Sequence, residues 1–228
     1  MVDKYNKNGK MTAVVAVRSG SQRVPNKNIR NFFNTNLLEL KLNVLTQSRN
    51  IDEIIVNSDS EEMLDLAKKF KVKTQVREKY FASNEASNSE FHQNIADTTD
   101  TDYIFLAPVC SPFISANRHD EAISYFLKSN YDSLTSTHPI KGHLWQNGKP
   151  LNYDLSNVPN SQDLPDIQML NYGISIIEKE KMKSLRALVG ENPGFIELNE
   201  IESTDINTLD EFNSAELLYK HGLVEKLW

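Results

Sequence analysis

Short apolar runs alternate with segments of helical periodicity along the first 137 residues of the chain. Residues 11–17, 54–56 and 103–106 have the near-continuous apolar character of strands that are buried on both faces of a sheet. Apolar spacing over residues 37–45 predicts a helix, and Ser60, followed by two glutamates, predicts the start of another. This alternation favours an α/β fold with a mainly parallel sheet.

Ligands of such sheets bind beyond the carboxyl ends of the strands, so the loops at that edge are the candidate sites. The loops in question are residues 18–31, 57–60, 77–88 and 107–116. Residues 138–172 interrupt the alternation with four prolines and two of the glycines, and they predict a lid, a binding loop or a dimer arm. We expect residues 1–228 to form one domain that contains this insertion.

Composition excludes several classes of protein. The one cysteine, Cys110, rules out a disulfide framework and a multi-cysteine zinc site. No apolar run reaches the roughly 18 residues of a membrane span, and the polar N-terminus lacks a signal peptide, so we expect a cytoplasmic protein. The net charge of −6 argues against a broad nucleic-acid-binding surface.

Charge is distributed unevenly along the chain. Residues 1–30 hold seven bases and one acid, whereas residues 195–219 hold seven acids and no base. Three of the bases, Lys4, Lys7 and Lys10, precede the first predicted strand, and we expect them to form a solvated tail. The other bases of the first 30 residues follow that strand, where they can meet a ligand.

The loop after the first strand has the composition of an anion-binding site. Gly20 allows close approach of the backbone to a ligand, and successive amides can point at phosphate oxygens. Arg18, Arg23 and Lys27 supply positive charge for a polyphosphate. The spacing matches neither a Walker loop nor a dinucleotide-binding fingerprint. A basic surface loop without a ligand is the alternative interpretation.

The same loop, R-x-G-S-x-R-x-P-x-K-N, resembles the signature of the acylneuraminate cytidylyltransferases, the CMP-sialic acid synthetase family. The similarity continues in order through IIVNSDS, ASNEAS, PVCSPF, GKPLNYD, QDLP and STDINTLDEFN. It implies a Rossmann-like nucleotidyltransferase fold with helices on both faces of the sheet. It also implies transfer of CMP from CTP to a 3-deoxy-2-ulosonic acid sugar with release of pyrophosphate, a step in the synthesis of surface polysaccharides. The resemblance further implies a homodimer in which residues 138–172 reach the partner.

The resemblance assigns residues to the nucleotide. Arg18 and Lys27 fall on the triphosphate-binding positions and are, with Asp205, the predicted catalytic residues. Lys27 would neutralise charge on the leaving pyrophosphate. The full set of predicted nucleotide-binding residues is Arg18, Ser19, Gly20, Ser21, Arg23, Lys27, Asn28, Arg77, Ala86, Ser87 and Asn88. An exposed charge at a strand end is the alternative interpretation of Arg77.

Magnesium is the cofactor that the resemblance implies, bound by an Asp-x-Asp pair before the last helix. In this chain Asp205 matches the first position and Asn207 stands at the second, so a bound metal would depend more on the nucleotide. An N-cap of the last helix is an equal alternative for Asn207. Asp210 is a possible substitute ligand, and Asp59 is a further acid placed by the resemblance.

The acceptor side departs from the family. The family has a glutamine before its Pro-Thr-Ser-Pro turn, and Ala107 and Pro108 supply no such amide. Gln162 and Asp163 fall where the family lines the acceptor pocket, and Asn171 belongs to an altered Asn-Gly pair. Two alternatives therefore stay open: cytidylyl transfer to a phosphonate or another small acid, or a nucleotide-binding protein without catalysis. Cys110 and the five histidines indicate neither a nucleophile nor a metal site.

Overall fold

A computed structural model describes residues 7–224 of the chain. Seven strands of this part form one sheet in the order β3-β2-β1-β4-β8-β5-β9, and two short strands form a separate hairpin. The strands are β1 (Met11–Ala16), β2 (Glu53–Ser58), β3 (Lys73–Val76), β4 (Tyr103–Leu106), β5 (Ser133–Ile140), β6 (Trp145–Gln146), β7 (Lys149–Pro150), β8 (Ile167–Glu178) and β9 (Pro193–Glu197). The helices are α1 (Leu37–Leu45), α2 (Glu61–Lys68), α3 (Lys79–Ala82), α4 (Asn88–Thr98), α5 (Ala116–Leu127), α6 (Lys179–Leu185) and α7 (Leu209–Lys220).

Within the main sheet β8 alone runs against its neighbours. It pairs antiparallel with β4 and β5, whereas β1 with β2 and β4, β2 with β3, and β5 with β9 pair in parallel. The carboxyl ends of the six parallel strands therefore meet at one edge of the sheet.

Helices cover both faces of the sheet because side chains alternate along each strand. On one face Ala13 and Val15 of β1 pack with buried residues of α1, α2, α5 and α7. On the other face Val14 packs with Ile95 of α4 and Met182 of α6. The predicted α/β fold, with a mainly parallel sheet and helices on both faces, is confirmed.

Side-chain caps fix where several helices begin. The Ser60 hydroxyl accepts a hydrogen bond from the Met63 N–H at the start of α2, as the sequence predicts. Thr208 forms a capping box with Glu211 at the start of α7. The N-cap of α7 is therefore Thr208, and the alternative that placed Asn207 there is wrong.

Residues 138–172 contain more regular structure than their prolines and glycines suggest. The end of β5 and the beginning of β8 pair over Thr137↔Leu170 to Ile140↔Ile167, beyond a register shift after Thr135. Between these strands lie the β6–β7 hairpin and a 3-10 turn over Ser161–Asp163. The large exposed apolar residues of the segment 138–172 are Trp145, Leu151, Leu155, Val158, Met169 and Tyr172.

The prediction of a solvated tail is wrong for Lys7 and Lys10, two of its three lysines. Lys7 bonds to Glu178 at 2.9 Å and stands over the ring of Phe126 at 4.0 Å. Lys10 bonds to Glu53 at 3.2 Å. Lys4 lies outside the described residues. Among the residues that the structure describes, no helix has the length and apolar character to cross a membrane.

Candidate functional site

A cleft with two adjoining compartments lies at the carboxyl edge of the sheet. Ala16, Arg18 and Pro108 line both compartments, so they form the boundary between them. The first compartment, of about 330 Å³, is lined mainly by the loop after β1. The second, of about 420 Å³, is lined by residues that follow β3 and β4. Three of the four predicted loops thus supply the walls of one cleft.

The loop after β1 folds back on itself around the first compartment. Gly20 has a φ of +72°, a left-handed conformation that glycine adopts without steric cost. The side-chain amide of Asn28 donates to the Arg18 carbonyl at 3.1 Å and closes the base of the loop. The predicted loop residues that line the compartment are Arg18, Ser21, Arg23, Lys27 and Asn28.

Two loop cations hold the segment before α7 against the first compartment. The Lys27 ammonium donates to the Ile206 carbonyl at 2.7 Å. Arg23 donates to Asn207 Oδ1 at 2.9 Å. The basic loop and the acidic segment, which lie about 180 residues apart in the chain, are therefore in direct contact. The first compartment carries the positive charge and the donors that a polyphosphate requires.

Arg18 connects the two compartments. Its guanidinium donates to the carbonyl oxygens of Ala82 and Ser83 at 2.7 and 3.0 Å and to Asn84 Oδ1 at 2.9 Å. These acceptors are the last residue of α3 and the two residues that follow it, and Ser83 and Asn84 line the second compartment. Arg18 is thus placed to contact an anion in the first compartment while it fixes the wall of the second.

Asp59 stabilises the loop after β1 through hydrogen bonds and does not line either compartment. Its carboxylate accepts a hydrogen bond from the backbone N–H of Ser19 at 2.8 Å and another from the Ser19 hydroxyl. Partial burial acts to raise the pKa of Asp59, but the Ser19 hydrogen bonds and the charge of Arg77 outweigh it, and the pKa is lowered. Ser19 and Asp59 therefore shape the loop rather than its binding surface.

The second compartment is less charged and partly aromatic. Phe81 and Phe91 line it together with Asn84, Ala86 and Asn88. Aromatic faces and amide groups suit a flat, polar ring such as a nucleobase. Of the predicted residues here, Ser87 does not line the compartment, because its side chain caps α4.

Arg77 is held rigidly in the wall of the second compartment. Its side chain donates to Asn57 Oδ1 at 2.6 Å and to the Asn57 carbonyl at 2.8 Å, and its guanidinium stands 4.8 Å from the centre of the Phe91 ring. Burial lowers the pKa of Arg77 to about 10, against a raising effect of Asp59. Because the residue is only 6% exposed, the alternative of an exposed strand-end charge is wrong.

The segment before α7 offers one carboxylate oxygen to a metal. Asp205 Oδ1 is buried and has no hydrogen-bond partner within residues 7–224, whereas Oδ2 accepts from the Asn207 amide. Magnesium bound to nucleotides uses one or two carboxylates, so Asp205 fits this ion. Asn207 presents its amide oxygen to Arg23, so a metal would have to displace that bond. Asp210 is an exposed residue in the first turn of α7.

Cys110 lines the first compartment beside Asp205. Burial and the neighbouring Asp205 carboxylate raise the pKa of the thiol to about 12, although Lys27 and Lys41 act in the opposite direction. A thiol with this pKa is protonated at neutral pH and is a poor nucleophile. The interpretation of Cys110 as a packing residue agrees with this environment.

Two of the five predicted acceptor residues line the cleft, and the other three do not. Ala107 and Pro108 line the second compartment. Gln162 and Asp163 are exposed on the 3-10 turn, and neither lines a compartment. The Asn171 side chain accepts from Ser136 and from the Gly173 N–H and donates to Ser203. An acceptor role for these three residues stays a prediction.

Sequence reasoning missed Asn57, Phe81 and Phe91 as residues of the site. Asn57 follows the apolar run of residues 54–56 and falls in the candidate loop 57–60, but nothing in the sequence indicates its contact with Arg77. The two phenylalanines flank the predicted Ala86–Asn88 segment, but nothing in their spacing distinguishes them from residues of a hydrophobic core.

Comparison with known proteins adds independent information. The sequence model of a family described as cytidylyltransferase matches residues 12–163. The Helicobacter pylori protein named pseudaminic acid cytidylyltransferase and UDP-2,4-diacetamido-2,4,6-trideoxy-beta-L-altropyranose hydrolase is 26% identical over 205 residues, 85% of this chain and 40% of that protein. The Campylobacter jejuni pseudaminic acid cytidylyltransferase is 28% identical over 126 residues, 53% of this chain and 54% of that protein. The chain therefore spans 40% and 54% of the length of these two relatives.

A solved structure shares the fold. The CMP:2-keto-3-deoxy-manno-octonic acid synthetase complexed with CTP superimposes with a TM-score of 0.68, covering 93% of this chain and 99% of that chain. The two sequences are 12% identical, so this likeness concerns the fold alone.

The Asn57–Arg77 contact yields a test of stability. We expect Asn57→Ala to lower the free energy of unfolding by about 1–3 kcal/mol, because a buried guanidinium loses an acceptor. The matched control is Gln75→Ala, which removes the 2.8 Å bond to Asn57 Nδ2 without touching Arg77. Urea unfolding followed by circular dichroism measures both. Equal losses in the two variants would contradict a special role for the Arg77 contact.

Proposed function

The chain belongs to the cytidylyltransferase family, and on that premise we propose that it transfers CMP from CTP to a nonulosonic acid sugar and releases pyrophosphate. The observation that carries this proposal is the cleft itself, in which a cationic compartment adjoins an aromatic, amide-lined one. A nucleoside triphosphate has the same two parts in the same order. The names of the two relatives support a nonulosonic acid of the pseudaminic or sialic type as the acceptor class.

CTP would lie across the boundary formed by Ala16, Arg18 and Pro108. Its triphosphate would occupy the first compartment, where Lys27, Arg23 and the loop amides donate to phosphate oxygens. Its nucleoside would occupy the second, beside the clamped Arg77 and the Ala86–Asn88 segment. Arg18 contacts both parts of the cleft and is proposed to hold the phosphate closest to the ribose.

The proposed reaction is a direct displacement at the α-phosphorus of CTP. The acceptor hydroxyl oxygen forms a bond to this phosphorus, the bond to the bridging oxygen breaks, and the hydroxyl proton passes to solvent. Negative charge grows on the leaving pyrophosphate, and Lys27 is the residue placed to stabilise it. Binding both substrates in one cleft supplies much of the rate acceleration in such reactions through positioning.

We propose magnesium as the cofactor and Asp205 as its protein ligand, with Asn207 in a secondary role. The buried, unpaired Asp205 Oδ1 supports this proposal, since it lies two residues from Asn207, which lines the first compartment. Bound there with the triphosphate, the ion would neutralise phosphate charge and increase the acidity of the acceptor hydroxyl. Within the part of the chain described, no group of three His, Cys, Asp or Glu side chains is arranged to hold a metal, which fits an ion that takes its other ligands from the nucleotide and water.

We propose further that the protein acts as a homodimer in the cytoplasm, where CTP is made, and that its product feeds the synthesis of surface polysaccharides. The exposed apolar residues of 138–172 support the dimer, because monomers rarely expose such a set on one segment. Trp145 is 53% exposed at the hairpin and contacts Tyr153 at a ring separation of 6.3 Å.

Lys27 provides the sharpest test of catalysis. We expect Lys27→Ala to lower kcat/KM for pyrophosphate release at least about tenfold, because charge on the leaving group loses its partner. The control is Lys69→Ala, which removes an exposed lysine at the end of α2. A coupled assay for pyrophosphate measures both. Wild-type activity in the Lys27 variant would contradict the proposed role.

The acceptor is tested by a panel. We expect pyrophosphate release from CTP and Mg²⁺ with pseudaminic acid or N-acetylneuraminic acid, and little release with phosphonates. Release with a phosphonate alone would favour the alternative acceptor, which the absence of an amide at Ala107 and Pro108 suggests. Binding of CTP without release for any acceptor under Mg²⁺ or Mn²⁺ would favour the non-catalytic alternative.

The dimer is tested at the hairpin. We expect Trp145→Asp to shift the wild-type dimer to monomers in sedimentation velocity, because a charge would be buried at an apolar interface. Leu217→Asp on α7 is the control, since Leu217 is 54% exposed but lies outside the segment. A monomeric wild type at micromolar concentration would contradict the proposal.

A further inference from the structure

A lysine is buried in the hydrophobic core beneath the cleft. Lys41 lies on α1, and it is 1% exposed among leucines of the same helix. Its ammonium donates to the Ser111 carbonyl at 2.9 Å. Within residues 7–224 it has no other hydrogen bond and no salt bridge, so two of its three N–H groups have no acceptor.

Such a burial is costly. An ammonium that is removed from water loses far more solvation free energy than one hydrogen bond to a neutral acceptor restores. Apolar residues in place of such buried charges often stabilise the folded protein. Burial lowers the pKa of Lys41 to about 8, with a smaller opposing effect of Cys110. Stability alone would favour a leucine or a methionine at this position.

The surroundings of Lys41 contain no counter-charge in direct contact. His119 of α5 is fully buried with both ring nitrogens unpartnered, and burial and the Lys41 charge lower its pKa far enough to keep it neutral. The Cys110 thiol, on the side towards the cleft, is also neutral at physiological pH because its pKa is about 12. No negatively charged group in direct contact therefore neutralises the Lys41 ammonium.

Lys41 stands directly behind the wall of the first compartment. Ser111, its acceptor, follows Cys110, which lines that compartment. The Cys110 carbonyl accepts from the Ile206 N–H at 2.9 Å, and the Ile206 carbonyl accepts from Lys27. One residue thus separates the buried ammonium from the space proposed for the triphosphate.

We propose that Lys41 is a positioning residue of the nucleotide site, a buried cation whose charge attracts the triphosphate through the Cys110–Ser111 wall. The inference rests on the proposed function, in that it takes a nucleoside triphosphate as the anion. A charge in a medium of low polarity acts over a longer distance than one in water, and salt screens it less. The alternative is a structural role, in which the ammonium only holds the Ser111 carbonyl.

The two roles predict opposite effects of Lys41→Met, which keeps the length of the side chain and removes the charge. Under the proposed role the melting temperature stays the same or rises, while the Kd for CTP increases about tenfold. Under the structural role the melting temperature falls. Leu42→Met controls for repacking of α1, and Lys69→Met controls for the loss of one positive charge at the surface.

Calorimetric titration of CTP into each protein, in buffer without divalent metal, gives the Kd values at 0.05 and 0.5 M salt. We expect the difference between wild type and Lys41→Met to persist at the higher salt, and the Lys69 and Leu42 variants to match wild type at both. A Lys41→Met protein that binds CTP as tightly as wild type, or that loses stability along with affinity, overturns the inference.

A second measurement uses the wild-type protein and needs no folded variant. We expect CTP affinity to fall several-fold between pH 7 and pH 9, because Lys41 loses its proton in that window. CTP is almost fully ionised throughout this window. Of the groups that face Lys41, His119 has a pKa well below the window and the Cys110 thiol has a pKa of about 12, so neither titrates in it. Lys27 and Asp205 lie beyond Cys110. Affinity independent of pH across this window overturns the inference.

Failure of the inference and failure of the proposed function are distinguishable. A wild-type protein that binds CTP in a Lys41-dependent manner but releases no pyrophosphate supports the inference and contradicts catalysis. A protein that releases pyrophosphate and whose CTP affinity is unchanged by Lys41→Met supports catalysis and contradicts the inference. Absence of CTP binding in the wild type overturns both.

Discussion

The direction of the strands determines where this protein can bind anything. Six strands of the described sheet point the same way, so the loops that follow them converge on one edge. The antiparallel β8 is the exception, and it allows residues 141–166 to leave and return at that same edge. The loop after β1, residues 81–91 and the segment before α7 are therefore neighbours in space although they are far apart in the chain.

Hydrogen bonds from cations to backbone carbonyls then hold these loops together. Arg18 bonds to Ala82 and Ser83, Lys27 bonds to Ile206, and Lys41 bonds to Ser111. Each contact joins a loop or helix that follows β1 to a different part of the chain. A carbonyl is a weaker partner than a phosphate for a cation, so the contacts of Arg18 and Lys27 order the cleft while leaving these two cations able to turn to an incoming anion.

The fold could be predicted largely from the sequence, and the site only in part. Apolar runs and periodicity identify β1, β4 and α1 because each buries its apolar residues in the regular pattern of its type. The basic loop is recognisable because its charged and polar residues line a compartment rather than the core. The pairing of His138–Ile140 in β5 with Ile167–Met169 in β8 involves half-buried and exposed residues, so no apolar pattern marks it. Asn57 and Lys41 were missed because each acts through a contact between segments that are distant in the chain.

Buried charges around the cleft indicate what the fold gives up for its site. Arg77 in the wall of the second compartment, Lys41 behind the wall of the first and the unpaired oxygen of Asp205 each lose solvation that their surroundings replace only in part. Charged groups held in this way concentrate at functional sites, because a fixed charge in a dry setting interacts strongly with a ligand and needs no reorganisation when the ligand arrives. In this protein Arg77 lines the cleft, Lys41 lies behind its wall, and Asp205 lies two residues from Asn207 in that wall, so the buried charges are grouped around one region of the fold.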